Sequence, residues 1–375
     1  MVSPRTAFAG GDKMRIVVLG GCGDMGRFVV QDLAEHTDAQ LVIADLRLHA
    51  AERLAEQIGP RAKAAFVDAT NPESLLQVMQ GADAVVGCIG PFYRFGLLMA
   101  QAAVEAGVNY VDICDDYSPV EGILALHDQA RAKGITLITG LGWTPGLTNI
   151  LVRKAASELD RVNTARIYWA GGAADAQGLA VVMHVFFAVT GDVPSYMDGQ
   201  WVKVRAGSGK ELVDFGPLLG KVEVYHCGHP EPLTLPRYLD LRTVTLQGGL
   251  TPRWNNWLAD VLVRLGVSRT PQRIETASKI IYRLEGIIGA GGVPYSGARV
   301  DVYGTSGGRA VVRSYRAVDK QGRLTGIPAA IGAAMLASGA VKAKGTFAPE
   351  GCVEPEPFLE ELAKRRVWVE QVAPA

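Results

Sequence analysis

Apolar and polar positions follow two different rhythms along this 375-residue chain. Over the first 150 residues, short β-like runs alternate with segments of helical spacing. Met14–Gly20, Gln40–Asp45, Ala64–Asp68, Ala84–Ile89, Tyr110–Cys114 and Thr136–Gly140 read as strands. Asp24–Glu35, His49–Ile58, Pro72–Gln80, Leu97–Ala106 and Val120–Lys133 read as helices, with Asn71 placed to cap the third. Strands that alternate with helices predict parallel pairing through right-handed crossovers, hence an α/β Rossmann doubly wound parallel sheet over 14–150.

After Asn149 the order becomes mixed. Helical stretches at Leu151–Leu159, Leu179–Val189, Trp254–Leu265 and Pro271–Ile288 lie among β-like runs at Ala165–Ala170, Trp201–Arg205, Glu211–Phe215, Val222–Cys227 and Arg242–Leu246. A Gly-rich link, Gly289–Gly297, precedes a hairpin formed by Arg299–Tyr303 and Ala310–Ala317. This pattern predicts an α+β substrate domain over 151–324, whose long apolar β runs suit self-association as a homodimer. Ile327–Ser338 and Glu356–Lys364 read as helices of the tail.

Composition narrows the partners. Lys plus Arg and Asp plus Glu both total 38, so the basic excess expected of a nucleic-acid binder is missing. Apolar runs are broken well before the roughly 18 residues of a membrane helix. Residues 1–13 lack the apolar core of a signal peptide and read as a flexible leader. Five scattered cysteines without a CxxC pair argue against a disulfide framework or a zinc site, and the cytoplasm is the default compartment.

The first strand runs into Gly21-Cys22-Gly23-Asp24-Met25-Gly26, a GxGxxG turn between strand and helix. In that context Gly21 permits the turn, Gly23 lets the backbone approach a pyrophosphate, and Gly26 lets helix and strand pack closely. Asp45 ends the second strand about 20 residues on, where a carboxylate takes a ribose 2′-hydroxyl. Asp45 favours NAD over NADP, whereas Arg47 offers a partner for a 2′-phosphate. Asp68 is a candidate for the adenine side, with an ordinary turn aspartate as its alternative. A methyltransferase shares this opening, but the later strand ends do not suit it.

Ligands of open parallel sheets sit beyond the carboxyl ends of the strands. Those ends carry Gly90-Pro91-Phe92-Tyr93-Arg94, then Asp115-Asp116-Tyr117, then Gly142-Trp143-Thr144-Pro145-Gly146-Leu147-Thr148-Asn149. The GPFY stretch, "AGVNYVDICDD", "PGLTN" and the tail "GTFAPEGCVEPEPFLEEL" together resemble the saccharopine dehydrogenase-like oxidoreductases, from residue 14 to about 365. "HVF", "TGDVPSYMDGQWV" and "GHPEPLTLPRYL" also look like this family's middle domain, and the single-chain order is similar to its lysine 6-dehydrogenase branch. The resemblance implies a Rossmann domain interrupted by a substrate domain, with the tail, 325–375, returning to the first. It implies NAD(P)-dependent hydride transfer at a CH–NH or C=N bond of an amino acid or polyamine-like substrate. It also implies that Gly90 and Pro91 lie near the nicotinamide, and Gly142 to Asn149 near the reacting centre.

Such chemistry needs an acid–base group, and histidine suits it. His184 on an apolar helix is the leading candidate, with His226 and His229 behind it. Asp115 and Asp116 could bind an ammonium or tune that base; read as strand neighbours they point to opposite faces, so one of them serves the pocket. The catalytic set is therefore His184, Asp115 and Tyr93, with Trp143, Thr144, His229 and Arg237 facing substrate. Tyr93 and Trp143 suit an apolar wall, and Arg94, Arg237 and Arg253 are equal candidates for a substrate carboxylate. His226, His229 and Glu231 have a loosely metal-like spacing, but no further ligands accompany them and no metal is expected. The competing readings are a reductase of another carbonyl or imine, and a non-catalytic dinucleotide sensor.

Overall fold

The computed structural model describes residues 14–175, 178–284 and 292–374. The expected leader, the end of the helix beyond 284 and the start of the Gly-rich link lie outside the described residues.

Six parallel strands, β1 (Arg15–Leu19), β2 (Gln40–Asp45), β3 (Ala62–Phe66), β4 (Ala84–Gly87), β5 (Asn109–Asp112) and β6 (Thr136–Ile138), pair in the order 6-5-4-1-2-3. A late strand, Gly345–Phe347, adds in parallel outside β6 and completes a seven-stranded sheet. The central strands are apolar on both faces because helices cover both. Ile16, Val17, Val18 and Leu19 are all fully buried. Asn71 caps the helix Pro72–Met79 as its sequence position predicts, accepting from the N–H groups of Glu73 and Ser74.

The second unit is a nine-stranded mixed sheet. Its strands are β7 (Arg161–Gly172), β8 (Asp192–Met197), β9 (Gln200–Arg205), β10 (Glu211–Asp214), β11 (Lys221–His226), β12 (Thr243–Thr251), β13 (Ser296–Ser306) and β14 (Arg309–Asp319), joined by one from the tail. With Gly345–Phe347 numbered β15, that last strand is β16 (Val369–Val372). The path runs β10-β11-β12-β7-β13-β14-β16, with β8 and β9 folded off β12. β7 is twice as long as its apolar run suggests because its first half, largely exposed or half-buried, still pairs along β13.

The tail divides itself between the two sheets. β15 joins the first, whereas β16 pairs with β14 of the second, so the expected return of the whole tail to the Rossmann unit is only partly matched. The helix expected from Ile327 begins at Gln321 and carries Pro328 inside it. Gly322 and Gly326 lie in its first two turns. Here they admit Phe28: a Cβ at Gly322 would lie 2.1 Å from that ring, so this helix packs directly on Gly26–His36. Arg365 Nε reaches both carboxylate oxygens of buried Asp32 at 3.0 and 2.9 Å, fastening the tail to the same helix.

Candidate active site

A cleft of about 680 Å³ opens between the carboxyl ends of β1, β2, β4, β5 and β6 and the second sheet. Its two ends are built differently.

One end is backbone. Gly20 has φ +74°, and its N–H bonds the Ala44 carbonyl at 2.7 Å. A Cβ on Gly26 would lie 2.1 Å from the Gly20 carbonyl oxygen, and one on Gly23 would lie 3.2 Å from the same atom. These three glycines leave the helix N-terminus open to a pyrophosphate, whose charge its free N–H groups complement. The turn is thus shaped for a dinucleotide and too crowded for side chains. Gly20, Gly23, Asp24 and Met25 line the cleft, whereas Gly21 and Gly26 pack behind it. Asp45 Oδ2 accepts the Cys22 N–H at 3.1 Å, and its Oδ1 accepts from Arg47 Nε at 3.3 Å. Arg47 also donates to the Cys22 carbonyl at 3.0 Å, so its guanidinium lies across the turn. Asp68 lines the same end and accepts from the Thr70 N–H and hydroxyl, an aspartate turn that holds its carboxyl below the usual range.

The other end is side chain. β5 stops at Asp112, whose buried carboxylate accepts from the N–H groups of Gly140 and Cys114 at 2.7 and 3.0 Å. This grips the ends of β5 and β6 together; burial pushes the Asp112 carboxyl up to about 6. The chain beyond Asp112 is irregular, so Asp115 and Asp116 do not alternate faces and both reach His184, contrary to the strand-based expectation. His184 Nδ1 stands 2.9 Å from Asp116 Oδ1 and 3.5 Å from Asp115 Oδ2. Asp116 Oδ2 accepts the Tyr93 backbone N–H at 2.8 Å. On the far side, His184 Nε2 is 3.2 Å from His229 Nε2, the rings crossing at 80°.

Burial draws the His184 imidazole down, but Asp115 and Asp116 outweigh it and lift it to about 9. Burial lifts Asp115 to about 7 against the pull of His184. Burial, then the neighbouring His184 charge, hold His229 well below the ordinary imidazole range. The constellation is therefore an imidazolium held by carboxylates, beside a neutral imidazole. The ligand-type atoms of Asp115, Asp116 and His184 lie within 4.8 Å of one another.

Gly90, Pro91, Gly142, Trp143, Thr144, His184 and His229 all line the cleft. Tyr93 does not: its ring stacks on Phe187 at 5.3 Å, and only its backbone serves Asp116. Arg237 is also outside, donating to the Leu233 carbonyl and paired with Glu121 at 3.4 Å. Arg253 lines a second cavity, of about 1090 Å³, together with His226 and Cys227. This leaves Arg94 as the arginine of the cleft lining. Trp169 and Leu250 form part of the wall between the two cavities, and Trp169 lies against Gly248, where a Cβ would meet its ring at 1.9 Å.

Sequence reasoning missed the layer behind His229. Glu231 Oε1 accepts from the hydroxyls of Thr144 and Thr148 at 2.7 and 2.8 Å. Asn149 donates to Glu350 at 2.8 Å and accepts the Gly146 N–H at 2.8 Å. Glu231 and Glu350 are buried, and burial raises both, Glu350 to about 7. A glutamate inside an otherwise apolar or proline-rich segment was the available signal in both cases.

Fold and cleft together define an NAD(P)-binding oxidoreductase of Rossmann type. The saccharopine dehydrogenase NADP binding domain model matches residues 16–138, and the saccharopine dehydrogenase C-terminal domain model matches 299–367. The chain belongs to the saccharopine dehydrogenase-like oxidoreductase family. It is 24% identical to carboxyaminopropylagmatine dehydrogenase of Synechocystis sp. over 96% of this chain and 98% of that protein. It is 27% identical to a saccharopine dehydrogenase-like oxidoreductase of Rattus norvegicus over 34% of each. Apo saccharopine dehydrogenase (L-Glu forming) from Saccharomyces cerevisiae superposes with a TM-score of 0.70 at 16% identity, covering 96% of this chain and all of that one. That likeness extends the shared fold across both sheets.

Proposed function

We propose that the chain oxidises an amine, or reduces the corresponding imine, of an amino acid or polyamine-like substrate. The observation that carries this reading is His184, held by Asp115 and Asp116 and abutting His229, in the same cleft as the glycine turn. Asp115, Asp116 and Glu275 line the cleft together with Arg94, an acidic balance suited to a cationic amine. The similarity to the carboxyaminopropylagmatine dehydrogenase of Synechocystis supports it.

Gly20, Gly23 and Met25 would hold the pyrophosphate, Asp45 the ribose, and Gly90, Pro91 and Gly142 the nicotinamide side. The bound nicotinamide supplies the hydride acceptor or donor. For oxidation, an ionised Asp115 takes a proton from the substrate ammonium, freeing the nitrogen lone pair. As hydride leaves the adjacent carbon, that pair forms the C=N bond, and the positive charge on nitrogen faces Asp115 and Asp116. In the reverse direction Asp115 returns the proton to nitrogen. Arg94 is placed to orient a substrate carboxylate, while Trp143 and Trp169 exclude water.

Asp45 supports NAD, and Arg47 beside it would admit a 2′-phosphate by turning away from the Cys22 carbonyl. Titration with NADH and NADPH, followed by panels of amines and of keto acids with amines, tests both points by nicotinamide absorbance. Turnover of an amine or imine supports the proposal. Tight cofactor binding with no turnover of any panel member would leave a sensor as the better reading. If Arg47→Ala weakens NADPH alone, Arg47 is the phosphate contact.

A further inference from the structure

The residues behind His229 come from segments far apart in the chain: Thr144, Thr148 and Asn149 from the turn after β6, Glu231 and Thr234 from the stretch after β11, and Glu350 from the tail. Their convergence on the back of one imidazole calls for a physical reason. Buried carboxylates are costly unless their oxygens are satisfied. Glu231 Oε1 has two hydroxyl donors, yet its Oε2 has none among the described residues. His229 Nδ1 has no close hydrogen-bond partner among the described residues, although the Thr144 backbone also lies beside the ring, and it stands 4.0 Å from Glu231 Oε2. A small rotation of either side chain would join the two.

Proton accounting along the row selects one arrangement. His184 Nδ1–H donates to Asp116, and a charged His184 also carries a proton on Nε2. With 3.2 Å between the two Nε2 atoms, His229 must then offer a lone pair there. Its own proton therefore sits on Nδ1, the nitrogen that stands 4.0 Å from Glu231 Oε2.

We propose that Glu231 is the positioning residue of a proton relay: it fixes His229 as the Nδ1–H tautomer and receives, through that ring, a proton from His184. The His184 Nε2–H bond breaks as a His229 Nε2–H bond forms, and the His229 Nδ1–H bond breaks as a Glu231 Oε2–H bond forms. No electrons are gained or lost. His184 is left neutral and the Glu231 carboxyl becomes uncharged, so the positive charge beside Asp115 and Asp116 is discharged inward without a proton crossing to solvent. The raised Glu231 carboxyl and the depressed His229 imidazole both suit this direction. Thr144 and Thr148 hold the Glu231 oxygen that does not take the proton. Glu350, the next carboxylate inward, opposes a second negative charge beside it. The relay rests on the acid–base reading of the cleft, but its geometry can be tested without turnover.

Nitrogen-15 spectra of the histidine rings in the apo protein provide that test. Wild type should show His229 protonated on Nδ1 and bare on Nε2. Glu231→Gln keeps the shape but turns an amide N–H toward His229, and should switch the ring to Nε2–H. With a substrate from the amine panel, kcat should fall about tenfold while cofactor KM stays put. The alkaline limb of the pH profile should also move to lower pH, because the Glu231 charge helps sustain His184. A wild-type His229 carrying its proton on Nε2 would overturn the relay, and so would a Glu231→Gln protein with unchanged tautomer and pH profile. If the variant does not fold, the wild-type spectrum decides alone. Absence of NAD(P) binding would defeat the proposed function and leave the tautomer result standing.

Discussion

The two ends of the cleft make opposite demands on the chain. The nucleotide end is shaped by what is missing, since Gly20, Gly23 and Gly26 create room that any Cβ would fill. The acid–base end is shaped by what is present: Asp115 and Asp116 from the first unit, and His184 and His229 from the second. A backbone site tolerates no addition, whereas a side-chain site tolerates a well-shaped exchange and loses only its chemistry. The same difference explains how specific each is. Hydrogen bonds from a turn recognise any pyrophosphate, while a row of titrating groups suits one kind of reaction.

The sharpest way to break this contrast is Gly26→Val. With a Cβ 2.1 Å from the Gly20 carbonyl, nucleotide affinity should fall by about 100-fold or more, read by reduced-nicotinamide fluorescence. An unchanged affinity would show that the turn only closes the fold. His184→Asn should lower kcat by roughly 10²- to 10⁴-fold while cofactor affinity holds. If both fall together, the two ends are not separable.

A milder effect concerns pH. With Asp115 at about 7 and His184 at about 9, kcat/KM should rise through the first value and fall through the second. Asp115→Asn should remove the rise. Stability follows the same groups. His184 titrates higher folded than its ordinary 6.5, so its contribution is complete below that value and is lost as pH climbs through about 9. Asp115, also raised, acts in the same sense between its ordinary 3.8 and about 7. The melting temperature of His184→Asn should therefore fall less across the alkaline window than that of wild type. Smallest of all is Arg237→Ala: outside the cleft and paired with exposed Glu121, it should change kcat/KM by less than about twofold.

The first sheet and the glycine turn were legible because their signals are local. A strand, three spaced glycines, a helix and a terminal aspartate all fall within some thirty residues. Asp115 and His229 were legible as residue types at strand ends and His184 as one on an apolar helix, though not as one row. What escaped the sequence depends on distant segments meeting. Arg94 could not be ranked above Arg237 or Arg253 until their surroundings were seen. Tyr93 sits beside the right motif, but its ring turns to Phe187. Asp115 and Asp116 were misread because strand alternation was extended beyond Asp112, where β5 ends. Gly322 and Gly326 hid the start of a helix, since close packing on Phe28, rather than helix propensity, sets their identity.

Gly248 and Trp169 sit opposite each other on β12 and β7, and the missing side chain of one is the space filled by the other. This links their futures under mutation. A larger residue at 248 is barred while the indole is in place, so Trp169 has to shrink first. Shrinking it thins the wall between the cleft and the second cavity, where Arg253 and Lys210 lie. Any lineage that reshapes this pocket by that route passes through a form with a longer, more basic chamber before position 248 can close it again. The order of substitutions, and with it the range of substrate lengths sampled on the way, is written into one pair of neighbouring strands.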